Sequence, residues 1–268
     1  MKNALRRAGV VTALITLLTV MVGVASGAKL STRTETVTLP PDQVTHTATA
    51  KCKQGAKAVG GGHQLSEDVD DYVAGSYPTG KRGWTAGALR TLGFMDSSEL
   101  TTFVRCLKGP KVTTKSATVS LPDDDVSSVT AKCPKRSKVS GGGVAVSPDD
   151  PYNVAEPAGS YPSGKREWTA VGEAYDPGAE LTGFAKCLKG AKITRRSESF
   201  DMPDDGDTHL VTAKCPKKTK ATGGGIELSE PYDDYDQGSY PSGKRGWTAA
   251  GYDGGVVTAH VVCLKKRK

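Results

Sequence analysis

Three times along the chain a tyrosine, a lysine–arginine pair and a tryptophan recur within one eleven-residue phrase: Gly75–Thr85, Gly159–Thr169 and Gly238–Thr248. Arginine grips sulfate, phosphate or carboxylate through two parallel hydrogen bonds, and lysine adds a mobile point charge. An aromatic face stacks on a sugar ring or a cation. Tyr77, Lys81, Arg82 and Trp84, with Tyr161, Lys165, Arg166 and Trp168, and Tyr240, Lys244, Arg245 and Trp247, are therefore candidate ligand-binding residues, repeated three times. The competing account is a polar hairpin tip over a tryptophan that anchors the core. The phrase also contains Gly75-x4-Gly80-Lys81, which looks like a phosphate-cradling loop. That loop requires Ser or Thr after its lysine and a helix beyond, whereas Arg82 and then Trp84 follow here.

Other residue clusters carry weaker chemistry. Asp68, Asp70 and Asp71, then Asp149 and Asp150, then Asp233, Asp234 and Asp236, could offer hard oxygen ligands to calcium, but their spacings differ and no calcium-loop pattern is present. Asp42, Asp123 to Asp125, and Asp204, Asp205 and Asp207 read as turn chemistry after proline. His46 and His209 share one offset before a cysteine, whereas His63 and His260 have no counterparts, and none has a metal partner at a recognised spacing. No serine-nucleophile or zinc-protease motif occurs. The expectation is no catalytic residue, no metal and no cofactor. Threefold repetition suits multivalent binding or structure better than catalysis, which needs one asymmetric constellation.

The elements that would present these residues follow from the chain's ends, its cysteines and its period. Lys2, Arg6 and Arg7, an apolar run from Val10 to Val24 and the small residues Ala25 to Ala28 make residues 1–28 a signal peptide by pattern. Its removal leaves 33 of the 36 basic residues against 29 acidic ones, a net of +4, which does not suggest a nucleic-acid partner. No membrane span is expected once the signal is removed. Lys265 to Lys268 form a basic tail, to be read as a solvated end or as a contact for an anionic polymer.

Six cysteines in an exported chain read as disulfides. Cys52 and Cys106 lie 54 residues apart, as do Cys133 and Cys187, while Cys215 and Cys263 lie 48 apart, so the repeats favour one staple per module. Each staple closes a loop worth roughly 4 kcal/mol on the chain-entropy account, which a unit of about 75 residues needs. The modules run 34–111, 114–192 and 195–268.

Within a module the apolar period is two. Short segments stop at proline, as Thr36–Leu39 does before Pro40, and a glycine triplet stands eight residues past each first cysteine, at Gly60–Gly62, Gly141–Gly143 and Gly223–Gly225. Fixed in place between strands, the triplets suit a bulge or a close backbone approach. The fold class expected is all-β: three tandem disulfide-stapled modules, each a small sandwich or Greek-key unit of five or six strands. The modules are expected as separate beads, with a closed pseudo-threefold β-prism as the alternative.

The frame Cys133-Pro134, Gly141–Gly143, Ser160–Pro162, Trp168 and Cys187, with the same positions in the other modules, resembles a small secreted domain found in actinobacteria; the first module departs from it at Lys53. The cysteine and glycine landmarks are also similar to those of the egg vitelline-membrane outer-layer family, a threefold β-prism, although that family lacks the Tyr-Pro hairpin. That likeness implies an extracellular matrix or carbohydrate-contacting role. The resulting expectation is a secreted, extracellular or envelope-associated protein that binds a glycan or an anionic envelope polymer without catalysis. A structural coat protein and a wall-polymer hydrolase are the alternatives.

Overall fold

The structure is a computed structural model that describes residues 29–40, 44–66, 71–90, 98–122, 125–147, 155–174, 178–230, 235–252 and 254–265. Residues 1–28, Asp42, Asp68, Asp70, Asp123, Asp124, Asp149, Asp150, Asp233, Asp234 and Lys266 to Lys268, all given a role from the sequence above, lie outside them.

Each repeat folds into six strands. The first forms β1 (Leu30–Leu39), β2 (His46–Lys51), β3 (Ala56–Leu65), β4 (Asp71–Thr79), β5 (Gly83–Arg90) and β6 (Ser98–Lys108). The second forms β7 (Val112–Ser120), β8 (Asp125–Lys132), β9 (Ser137–Ser147), β10 (Ala155–Tyr161), β11 (Glu167–Ala174) and β12 (Glu180–Lys189). The third forms β13 (Ile193–Asp201), β14 (Thr208–Lys214), β15 (Thr219–Leu228), β16 (Tyr235–Ser242), β17 (Gly246–Tyr252) and β18 (Val256–Lys265). The all-β, three-module, disulfide-stapled fold read from the period and the cysteines is present. Pro78 and Pro241 lie inside β4 and β16 rather than after them, one residue from the end of the strand.

Each repeat is a sandwich of two three-stranded halves. In the first, β1-β6-β3 faces β2-β5-β4 across Leu39, Ala48, Leu65, Val73, Ala86, Ala88 and Leu100. Cys52, just after β2, bonds Cys106 on β6, so the disulfide ties one half to the other. Cys133–Cys187 and Cys215–Cys263 are the matching pairs. Three formed disulfides belong to an oxidising compartment. Among the described residues no helix is long and apolar enough to cross a membrane.

The repeats are not separate beads. Every half-sheet continues into a half from another repeat, giving three six-stranded antiparallel sheets: β1-β6-β3-β16-β17-β14, β2-β5-β4-β9-β12-β7 and β13-β18-β15-β10-β11-β8. The seams are short. Ser239 pairs with His63, Ser76 with Val144 and Ser160 with Ile226, each with one further pair beside it. An isolated module would leave β3, β4 and their equivalents as unpaired edges, and mutual pairing removes them.

The glycine triplets make the threefold arrangement sterically feasible. Gly60, Gly141 and Gly223 meet one another: a methyl group on Gly60 would lie 2.8 Å from Gly223 Cα, one on Gly141 2.6 Å from Gly60 Cα, and one on Gly223 2.7 Å from Gly141 Cα. The second glycine of each triplet lies flat against the repeat's own tryptophan ring, and the third against a serine carbonyl of a neighbouring repeat. A bulge accompanies each triplet, between Ala58 and Gly60, opposite Gly141, and between Ala221 and Gly223.

Candidate functional site

Because every strand pairs antiparallel, the turns fall alternately at two ends of the molecule. At one end lie the turns after the first cysteines, the phrase hairpins and the module junctions. The stretches 51–57, 79–83 and 107–112, then 132–138, 161–167 and 188–193, then 214–220, 241–246 and 264–265 carry seven, eight and seven lysines or arginines, with Glu167 the one acid among them. At the other end the described charged residues are acidic, Arg90 excepted; Asp71, Glu156, Glu173 and Asp236 draw together there. The net charge of the chain conceals this separation.

All six predicted hairpin cations stand at the basic end. Their backbones close it: Cys52 N–H donates to the Arg82 carbonyl (2.9 Å) and Ala58 N–H to that of Lys81 (3.1 Å), and the same pair recurs at Arg166 with Lys165 and at Arg245 with Lys244. Lys81, Arg82, Lys165, Lys244 and Arg245 are exposed and Arg166 is half-buried.

The tryptophans are not available to a ligand, which corrects the reading of Trp84, Trp168 and Trp247 as a stacking platform. All three are 0 % exposed. They pack with their own repeat's cysteines. Each indole N–H donates to the serine hydroxyl of its own phrase: Trp84 to Ser76 at 2.9 Å, Trp168 to Ser160 at 2.8 Å and Trp247 to Ser239 at 2.9 Å. A buried tryptophan needs such a partner, so the Ser eight residues before each Trp was the sequence signal for burial. Fluorescence of the native protein is expected to be blue-shifted and insensitive to iodide, and red-shifted, quenchable emission would contradict this packing.

The tyrosines remain partly exposed on the sheet faces. Tyr77 stacks on Phe184 at 5.8 Å, Tyr240 on Phe103 at 5.6 Å and Tyr161 on His260 at 5.3 Å, each across a seam between repeats.

Threefold symmetry breaks at the junction of the second and third repeats. There a cleft of about 700 Å³ at the basic end is lined by Arg136, Lys138, Lys165, Arg166, Lys192 and Lys265, with no carboxylate in its wall. A second hollow of about 450 Å³ shares Lys138 and Lys165 with it and runs on to Arg195, Arg196 and His260 over Val139 and Pro162. Of the predicted cations, the structure gathers Lys165 and Arg166 into this groove. Arg136, Lys138, Lys192, Arg195 and Arg196 were not named as site residues from sequence: Arg136 lies in a turn, Lys192 in a module junction, Lys138 on β9 and Arg195 and Arg196 on β13, whereas Lys265 opens the basic tail already read as a solvated end or a polymer contact. Glu167 sits at the rim. Its carboxylate accepts from Lys132 at 2.6 Å, which, with the charge of Lys132, holds it below the usual carboxylate range.

The hollow between Asp71, Glu156, Glu173 and Asp236 measures about 10 Å³, too small for more than one water. Glu156 is pushed up to about 8 by burial and by Glu173 beside it. Asp71 faces Arg90 at 3.9 Å, and the buried His63 bonds Asp236 at 3.2 Å. His209 pairs with Asp205 at 2.9 Å and His260 with Glu227 at 2.8 Å. Among the described residues no three histidine, cysteine or acidic side chains come together to hold a metal ion.

No protein-family model matches the chain, and no curated protein is significantly similar to it in sequence.

Proposed function

We propose that this chain is an exported, non-catalytic binder of an acidic glycan or related anionic envelope polymer, docking through its basic end. The observation that carries the reading is the cleft walled by six cations without a carboxylate. Such a wall attracts sulfate and carboxylate groups by charge and holds them by charge-assisted hydrogen bonds. The acidic far end orients the molecule, turning the basic end toward a negative surface before contact. The three hairpin tips extend the basic surface around the threefold axis, so a long polymer meets cations beyond the cleft.

The test is titration with heparin and with a neutral dextran at 50 mM and 300 mM salt. Heparin is expected to bind at low salt and weaken steeply at high salt, as screening requires, with no response to dextran. The double charge reversal Lys165→Glu with Arg166→Glu is expected to weaken heparin binding about 30-fold. Lys81→Glu with Arg82→Glu, at an exposed tip, is expected to cost only a few-fold. No binding of heparin at low salt, or equal damage from both reversals, would overturn the proposal.

A further inference from the structure

Two departures from the repeat converge on the third sheet. In the first two repeats a cation sits inside, on β6 or β12, opposite a threonine: Arg105 pairs with Thr32 and Lys186 with Thr114. Both cations are nearly fully buried. Arg105 and Lys186 donate to the hydroxyls of Thr32 and Thr114. The third repeat transposes the pair: Val262 takes the inner place and Arg195 stands opposite it on β13. Arg195 there lines the second hollow and donates to the Pro162 carbonyl at 2.9 Å.

The second departure lies beside it. Where Tyr77 and Tyr240 stack on phenylalanines, Tyr161 stacks on His260. Glu227 occupies the strand position that holds Ala145 in the second repeat and Gln64 in the first. Its carboxylate bonds His260 at 2.8 Å and the Tyr161 hydroxyl, and its side chain stays 42 % exposed. His260 lines the same hollow as Arg195, Arg196 and Lys165. Two side chains thus differ in one sheet of three: His260, in the wall of the hollow, stands where the others have phenylalanine, and Glu227, bonded to it, where they have alanine or glutamine.

Resting on the anionic-polymer reading above, we infer that this hollow is a sugar-reading subsite, and that the polymer is a polysaccharide bearing sulfate or carboxylate groups. Lys165, Arg195 and Arg196 take the anionic groups. Glu227, held in place by the His260 ring and the Tyr161 hydroxyl, accepts from a ring hydroxyl through its remaining carboxylate lone pairs. A polyphosphate chain has charge but no hydroxyl to donate, and Glu227 repels it. The carboxylate therefore selects sugar polymers within a groove that otherwise selects only charge.

The test compares heparin with inorganic polyphosphate of matched charge on the wild-type protein and on the double variant Glu227→Ala with His260→Phe. That variant gives the third sheet the Ala145–Phe184 arrangement that the second sheet already carries, so folding is preserved, and circular dichroism checks it. The wild type is expected to favour heparin, and the variant to lose about tenfold in heparin affinity while binding polyphosphate as well or better. Equal wild-type affinity for the two polymers, or an equal loss of both in the variant, overturns the subsite and leaves the anion site standing. Binding of neither polymer by the wild type overturns both.

Discussion

Replacing Gly141 with alanine is expected to destabilise the protein by about 3 kcal/mol or more. The intrinsic preference points the other way, because alanine in a strand restricts the unfolded chain and normally adds a few tenths to 1 kcal/mol of stability. At Gly141 the added methyl would lie 2.6 Å from Gly60 Cα and 2.7 Å from the Val59 carbonyl oxygen. Both atoms are backbone at the meeting of three repeats, so neither side can give way without moving a strand and its sheet. The comparison is Gly164→Ala on the hairpin of the same repeat, where the methyl would meet the flexible Glu167 side chain. That change is expected to stay within about 1 kcal/mol. Urea unfolding of both variants decides the matter, and a Gly141→Ala protein as stable as the wild type would refute the axial packing.

The second large effect concerns a buried charge. Lys186 is 2 % exposed, and its ammonium donates to the Thr114 hydroxyl at 2.9 Å. Burial pushes its pKa down to about 8 from the ordinary 10.5. Below pH 8 the lysine is charged in both states, and the native state bears a cost of about 3 kcal/mol. Between pH 8 and 10.5 the unfolded chain holds a proton that the native chain has released, so stability rises with pH; above 10.5 the cost is gone. Glu156 acts oppositely. Raised to about 8 from 4.5, it keeps a proton in the native state that the unfolded chain has lost, and stability falls as pH climbs through that window. The two slopes meet in a trough near pH 8. Lys186→Met is expected to be about 2 kcal/mol more stable than the wild type at pH 7 and to show no rise from Lys186 above pH 8. The third repeat already places an apolar residue, Val262, at this position. Urea titrations at pH 7, 8 and 10 test it; an unchanged alkaline slope in the variant, or a loss of stability at pH 7, would refute the buried-cation account.

These effects separate what was legible in the chain from what was not. The cysteine pairs, the strand period and the three-module division follow from local pattern and repetition, and the structure carries all of them. The glycine triplets were legible as places of close approach, but not as the axis, because a triplet does not say which backbone approaches it. The sheets shared between repeats have no sequence signal either. The seams are hydrogen bonds between main-chain groups at two residue pairs each, which any strand edge can make.

The hairpin phrase divided into parts with different fates. Its tryptophans read from sequence either as a stacking platform beside Lys-Arg or as core anchors, and the structure turns each indole inward onto the serine eight residues earlier. Five of its six cations are exposed and Arg166 is half-buried. The alternation of basic and acidic turns was on the page of the sequence, but a net charge of +4 sums it away. Only antiparallel pairing, which sends successive turns to opposite ends, converts it into two charged poles. The groove itself required the tertiary structure. Arg195 and Val262 are unremarkable apart, and their exchange relative to Thr114 and Lys186 appears only once β13 is paired with β18 and β7 with β12. By itself the sequence determined the module, its staple and its strands. Which module edges meet, and therefore where the cations gather, was decided by packing around the glycine axis, because close approach of three backbones is a property of the assembled repeats and of no single one.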